Sequence, residues 1–189
     1  MPRVHERTAR KSHGRCSRCH RQIRKGQRYR WAKGRYTARR VWCSNCYPRP
    51  SELTGSDKLS RLYAARESVE DVIAGECTKE NLIEALNDAA TEAREVAQEY
   101  QESHDAMPSS LQLGAPGEEL QEKAEQCEQW ADALEAAALE IDALDWGDTS
   151  DDDDPATGDD DEDEDKPARV EARTQAADIA NAALGELEL

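Results

Sequence analysis

The sequence predicts a mainly α-helical chain with a small N-terminal β module, followed by a helical hairpin or three-helix bundle, an acidic disordered linker and a short C-terminal helix. Three observations carry that reading. Charge is divided along the chain: residues 1–50 hold 16 Lys+Arg and one acid, Glu6, for a net of +15, while the remaining 139 residues carry a net of −31. Two Cys-x-x-Cys pairs lie 23 residues apart inside the basic part, and from residue 59 onward apolar residues recur at three- and four-residue spacing. With 37% hydrophobic residues and no Phe among 189, the composition argues against a large enzyme core.

Within the basic part, Arg28-Tyr29-Arg30-Trp31 alternates as a half-exposed strand does, Lys33-Gly34 supplies a turn, and Arg35-Tyr36 through Val41-Trp42 can return as a second strand. Pro48 and Pro50 are expected to stop regular structure. Leu59, Leu62, Tyr63, Val69, Val72 and Ile73 then define one apolar helix face ending at Gly75. A second helix starts after Thr78, a good N-cap, and runs to about His104. Its seam is Leu82, Leu86, Ala89, Ala93, Val96, Tyr100 and Met107. Residues 108–117, with two Pro and two Gly, read as a loop. A third helix carries Leu120, Ala124, Cys127, Ala131, Leu134, Ala138 and Ile141 at alternating spacings of four and three, so the two long helices form an antiparallel hairpin whose seam is core. The helix over 59–73 is available as a third member of the bundle. Residues 147–165, nearly all Asp, Glu, Gly, Ser, Thr and Pro, read as a disordered linker, and 167–189 regain a weak, Ala-rich helical face. The domains expected are therefore a basic module over 1–50, a helical module over 57–146, an acidic linker over 147–167 and a short helix over 168–189.

Cys16-Ser17-Arg18-Cys19 and Cys43-Ser44-Asn45-Cys46 carry the chemistry. Each pair can form a knuckle that aims two thiolates at one metal ion, and four thiolates suit a structural zinc ion, with Zn–S about 2.3 Å. Alternatives exist for parts of the pattern. Cys16 to His20 also spells the c-type haem attachment signature, but that leaves the second pair without a purpose; a redox dithiol belongs beside a βαβ unit, which is absent. His20 is a surface or supporting side chain, since four thiolates are already at hand. A catalytic zinc keeps an open position and a nearby acid, whereas all four positions here are filled and no nucleophile, phosphate loop or carboxylate pair stands out. The chain is read as no enzyme. Cys127 falls on the helical seam and is a buried thiol; Cys77, at a helix start, is expected to be exposed.

Arg18, Arg21, Arg24, Lys25, Arg28, Arg30, Lys33, Arg35, Arg39 and Arg40 interleave with Trp31 on the finger. Guanidinium groups match phosphate oxygens and aromatic faces stack on unpaired bases, the footprint of a nucleic-acid surface. The same patch could face an acidic protein or the chain's own acidic tail. Two functional classes follow: a nucleic-acid-binding accessory protein carried on a helical hairpin able to oligomerise, its acidic tail competing for the finger, or an interaction adaptor whose finger and hairpin bind protein. No apolar run approaches the roughly 20 residues that span a bilayer, and residues 1–11 lack a signal-peptide core, so a cytoplasmic protein with no membrane partner is expected.

The finger, over 15–47, resembles the small N-terminal zinc ribbons and treble clefs of proteins encoded by tailed phages and their hosts. Over 80–140, Tyr100-Gln-Glu-Ser, Met107-Pro108, Glu119-Leu-Gln-Glu-Lys and Trp130-Ala-Asp look like a helical module of similar phage reading frames. The resemblance implies a structural metal site, a host-cytoplasmic location and no particular activity.

Overall fold

The structure, a computed structural model, describes residues 2–34, 38–75, 77–146 and 167–187, with side chains from 169 onward in the last stretch. Over these residues the chain is mainly helical, with a small N-terminal sheet, as its sequence predicts. Arg35, Tyr36 and the acidic linker lie outside the described residues. The chain divides into two compact units, Met1–Glu67 and Ser68–Leu189.

In the first unit, β1 (His5–Thr8), β2 (Arg28–Ala32) and β3 (Arg40–Cys43) form an antiparallel sheet in the order β1-β2-β3. Tyr29 pairs with Cys43 and Trp31 with Val41, so the aromatic strand ends directly against the second cysteine pair. β1 has no apolar alternation and all four of its residues are exposed; its edge position is fixed by the ladder to β2 and by the His5 ring stacked 4.4 Å from Trp31. Ala9, Cys16, Ile23, Tyr29, Ala32, Trp42 and Cys43 form the core. Seven residues, four of them no larger than Cys, bury too little apolar surface to hold such a module alone. Contrary to the expectation from Pro48 and Pro50, regular structure resumes at once: Pro50 opens α1 (Pro50–Leu53), because a proline at the first helical position loses no hydrogen bond.

The division between units falls within α2 (Asp57–Ala74), beyond the boundary that composition marks at 50 to 57. The cause is local. Glu67, though buried, accepts hydrogen bonds from the Ser51 amide at 3.0 Å and the Ser51 hydroxyl at 2.7 Å, and the Ser60 hydroxyl donates to the Ser51 carbonyl at 2.8 Å. These bonds fasten the first turns of α2 to α1.

The second unit is built on α3 (Lys79–Asp105) and α5 (Ala115–Ala143), each on the order of 40 Å long. Thr78 caps α3 by accepting from the Asn81 amide at 3.3 Å. The two helices run antiparallel: Lys79 meets Asp142, and Arg94 meets Asp132 and Glu135. Leu82, Leu86 and Val96 of α3, with Trp130, Leu134 and Ile141 of α5, are fully buried, and Ala at 89, 90, 93, 131 and 138 lets the backbones approach. Residues 108–117 are not a plain loop. They hold the short helix α4 (Ser109–Gln112), whose Gln112 side chain donates to the last carbonyls of α3 (His104 and Asp105, both 3.2 Å), and the first turn of α5, which tolerates Pro116 for the same reason α1 tolerates Pro50. The helix that packs most extensively beside the hairpin is α6 (Pro167–Gly185), which lays Ala172, Ala176, Ala180, Ala183 and Leu184 inward and rests on α5. Arg173 of α6 donates to the Gly75 carbonyl at 3.1 Å. No helix among the described residues is long and apolar enough to cross a membrane.

Candidate metal centre

The first knuckle is a closed turn. The Cys16 amide donates to the Arg21 carbonyl at 2.9 Å, the His20 amide returns to the Cys16 carbonyl at 3.1 Å, and an Arg15–Gln22 bridge closes the base. The turn needs a left-handed residue just after the second cysteine, and His20 fills it with φ 55°. That position explains why His20 is exposed and is no part of the sulfur cluster. The second knuckle starts on the last residue of β3, with the Cys46 amide donating to the Cys43 carbonyl at 3.2 Å. Ser17 joins the two: its amide donates to the Val41 carbonyl at 2.8 Å and its hydroxyl accepts from the Val41 amide at 3.3 Å.

Cys16, Cys19, Cys43 and Cys46 thereby converge with all four Sγ atoms within 4.8 Å of one another. The Cys19 and Cys43 sulfurs are 3.6 Å apart, far beyond the roughly 2.05 Å of a disulfide and close to the edge of about 3.8 Å of a tetrahedron with 2.3 Å metal–sulfur bonds. Four cysteines so placed could hold one metal ion. Electrostatics point the same way. Burial pushes the Cys16 thiol up, but the backbone amides of Cys43, Cys19 and Arg18 and the Cys19 side chain favour its thiolate and hold it at about 6; the Cys43 amide lies 3.4 Å from its sulfur. Burial, then hydrogen bonds shared with Cys43, Cys19 and Cys16, push Cys46 up to about 12. Sulfurs this close cannot all ionise unless a cation replaces their protons.

One supporting residue escaped the sequence reading because it lies just past the basic segment. Glu52, on α1, accepts from Arg18 at 2.6 Å, from the Arg49 amide at 2.8 Å and from Trp42 Nε1 at 3.1 Å. Arg18 belongs to the first knuckle and Trp42 precedes the second, so one carboxylate ties both to α1.

The remaining basic residues fall into two groups. Several are engaged internally: Arg18 with Glu52, Arg30 with the Ser44 carbonyl at 2.8 Å and Glu6 at 3.7 Å, Arg40 with the Glu52 carbonyl at 2.9 Å, and Arg39 with the Tyr29 hydroxyl at 3.1 Å. Arg39 also lies 4.3 Å over the Trp31 ring, whose other ring contact is His5, so Trp31 does not offer a vacant stacking face. Arg21, Arg24, Lys25, Arg28 and Lys33 are exposed and form no ion pair among the described residues. Arg35 lies outside them. Cys127 is buried on the hairpin seam as expected; Cys77 is not exposed but buried, and burial pushes its thiol up.

Comparison with protein-family models, with curated proteins and with solved structures gives no match for this chain.

Proposed function

We propose that the chain is a non-enzymatic accessory protein whose finger, cross-linked by a structural zinc ion, binds nucleic acid. Cys16, Cys19, Cys43 and Cys46 would hold the ion; an all-sulfur tetrahedral donor set favours zinc over harder cations, and the bound ion supplies the cross-link that the small core lacks. The single observation that supports a nucleic-acid partner is that five cations of the finger, Arg21, Arg24, Lys25, Arg28 and Lys33, are exposed and form no ion pair among the described residues. Uncompensated cations on a rigid, metal-held support bind a polyanion with little ordering cost. The eleven acids within 151–165 offer the same cations a tethered competitor, so the tail lowers non-specific binding. The reading extends to lineage, with the finger proposed to be related to phage-encoded zinc ribbons.

The test is a titration of the zinc-loaded chain against a labelled single-stranded oligonucleotide at several salt concentrations. Log affinity is expected to fall linearly with log salt, with a slope of about −0.7 per phosphate neutralised, and to rise at low salt when the acids of 151–165 are changed to Asn and Gln. A protein that lacks zinc on elemental analysis, or binding indifferent to salt, overturns the reading and leaves the adaptor as the function. Changing the acids is preferable to truncation, since truncation also removes α6 from α5.

A further inference from the structure

Besides the exposed cations named above, the first unit contains a cleft of about 760 Å³ lined by Arg7, Thr8, Arg10, Lys11, His13 and Tyr29. It is built by the turn that follows β1. Ala9 is buried at the apex and bonded in both directions, its amide to the Gln27 carbonyl at 2.9 Å and its carbonyl to the Gly26 amide at 2.8 Å. That anchor leaves its neighbours Thr8 and Arg10 exposed. The far wall is fixed as firmly: the His13 amide donates to the Ile23 carbonyl at 2.9 Å and the His13 ring packs 4.5 Å from Tyr29.

The charge in this cleft is unbalanced. Arg7, Arg10 and Lys11 are exposed, and among the described residues no acid lines the cleft and none of the three forms an ion pair. The nearest acid in sequence, Glu6, alternates to the face of β1 opposite Arg7 and lies 3.7 Å from Arg30. Three cations converging without a counter-charge repel one another, an arrangement that an incoming anion relieves. Thr8 adds a neutral hydroxyl donor, and the His13 ring, seated on the buried Tyr29, gives an aromatic wall. The cleft volume exceeds what a bare phosphate needs and suits a sugar or base carried with it.

We infer that this cleft is a phosphate-ester site that seats one nucleotide, with Arg7, Arg10 and Lys11 on the phosphate and Thr8, His13 and Tyr29 against the rest. The inference rests on, and sharpens, the nucleic-acid reading: the strand is anchored at the β1 turn, and the other exposed cations of the finger add to its affinity. A free nucleotide presents the same chemistry, so the experiment separates the two sources.

The experiment uses the zinc-loaded full chain, an Arg10→Ala/Lys11→Ala variant, and an Arg24→Ala/Lys25→Ala variant that removes equal charge outside the cleft. Each is titrated with a labelled oligonucleotide, and the His13 ring resonances are followed on addition of a nucleoside monophosphate or inorganic phosphate. Loss of the cleft pair should weaken the oligonucleotide by about tenfold or more, against about threefold for the outside pair. The monophosphate should shift the His13 signals saturably in the parent and not in Arg10→Ala/Lys11→Ala. Equal losses in the two variants together with unmoved His13 signals overturn the cleft while leaving the nucleic-acid reading intact. Saturable shifts without oligonucleotide binding support the cleft as a site for a free phosphate ester and overturn the nucleic-acid reading instead.

Discussion

Replacing Glu52 with alanine is the sharpest test of how the finger is held together. Its carboxylate accepts three donors at once, and they differ in how much solvent can replace it. Trp42 is fully buried, so its Nε1–H at 3.1 Å has no substitute acceptor; stranding a buried donor costs about 1–3 kcal/mol. The Arg49 amide at 2.8 Å is partly buried, and losing a charge-assisted bond at a helix start adds about 1 kcal/mol. Arg18 and Glu52 are 32% and 21% exposed, so water screens that pair and its share is under about 1 kcal/mol. The total is about 3 kcal/mol, taken as one removal because all three bonds share a carboxylate. On the proposed reading, in which a finger with so small a core folds as it binds zinc, the loss should appear as zinc affinity weakened by about a hundredfold, at 1.4 kcal/mol per decade. The assay is competition for zinc with a chromophoric chelator at pH 7, with far-UV circular dichroism confirming that the hairpin is unchanged. Glu52→Gln keeps a neutral acceptor for Trp42 and should lose roughly tenfold. Alanine within twofold of the parent, or glutamine weaker than alanine, refutes the reasoning.

Two further changes probe the hairpin. At Gly117 an added Cβ would meet the Gln112 carbonyl oxygen and lie 2.6 and 2.7 Å from its backbone C and Cα. These atoms cannot rotate away, so Gly117→Ala should destabilise the chain by about 1–3 kcal/mol in urea unfolding; a shift of the midpoint within error means that the α4–α5 turn yields freely. On the hairpin surface, hydrogen bonds from Arg94 hold the Glu135 carboxyl below its ordinary 4.5. A carboxyl whose folded value is depressed contributes stability above the unfolded value and loses it as pH falls through the folded one. The melting temperature of Arg94→Gln should therefore lie below that of the parent at pH 6 and converge with it as pH drops beneath 4.5; a constant gap down to pH 3 places the effect elsewhere.

What the sequence makes legible follows the strength of the physical pattern. The hairpin is plain in advance because Leu82, Leu86, Ala89, Ala93 and Val96, set against Ala124, Ala131, Leu134 and Ile141, repeat often enough to exclude a strand, and all of them are buried. The cysteine pairs are plain because two knuckles separated by a two-stranded spacer have few other uses, and their sulfurs do converge. β1 is invisible for the opposite reason: His5-Glu6-Arg7-Thr8 has no apolar face, and only its partner strand and Trp31 make it a strand. Residues 108–117 mislead because Pro and Gly serve helix starts as well as loops; Pro116 sits in the first turn of α5 and Gly117 is where α4 and α5 touch. Glu52 is hidden by a boundary drawn on charge alone, and Cys77 by a rule that helix starts face solvent.

Those misses bear on one another through charge. The described part of the finger contains two structural acids, Glu6 and Glu52, and both are already used, on Arg30 and on Arg18 with Trp42. Arg39 and Arg40 turn instead to neutral acceptors, the Tyr29 hydroxyl and the Glu52 carbonyl, which stabilise an arginine without cancelling its charge. These two arginines thus have hydrogen-bond partners while their charge is left intact. The field of such charges destabilises the compact state by self-repulsion, and a core of seven residues, four of them Ala or Cys, has little stability to offset it. On the proposed reading two sources of negative charge would balance it: four thiolates neutralised only in part by one divalent ion, and an anion outside the fold. On that reading the same imbalance would couple folding of the module to the metal and favour an anion at the β1 cleft and at the exposed cations Arg21, Arg24, Lys25, Arg28 and Lys33.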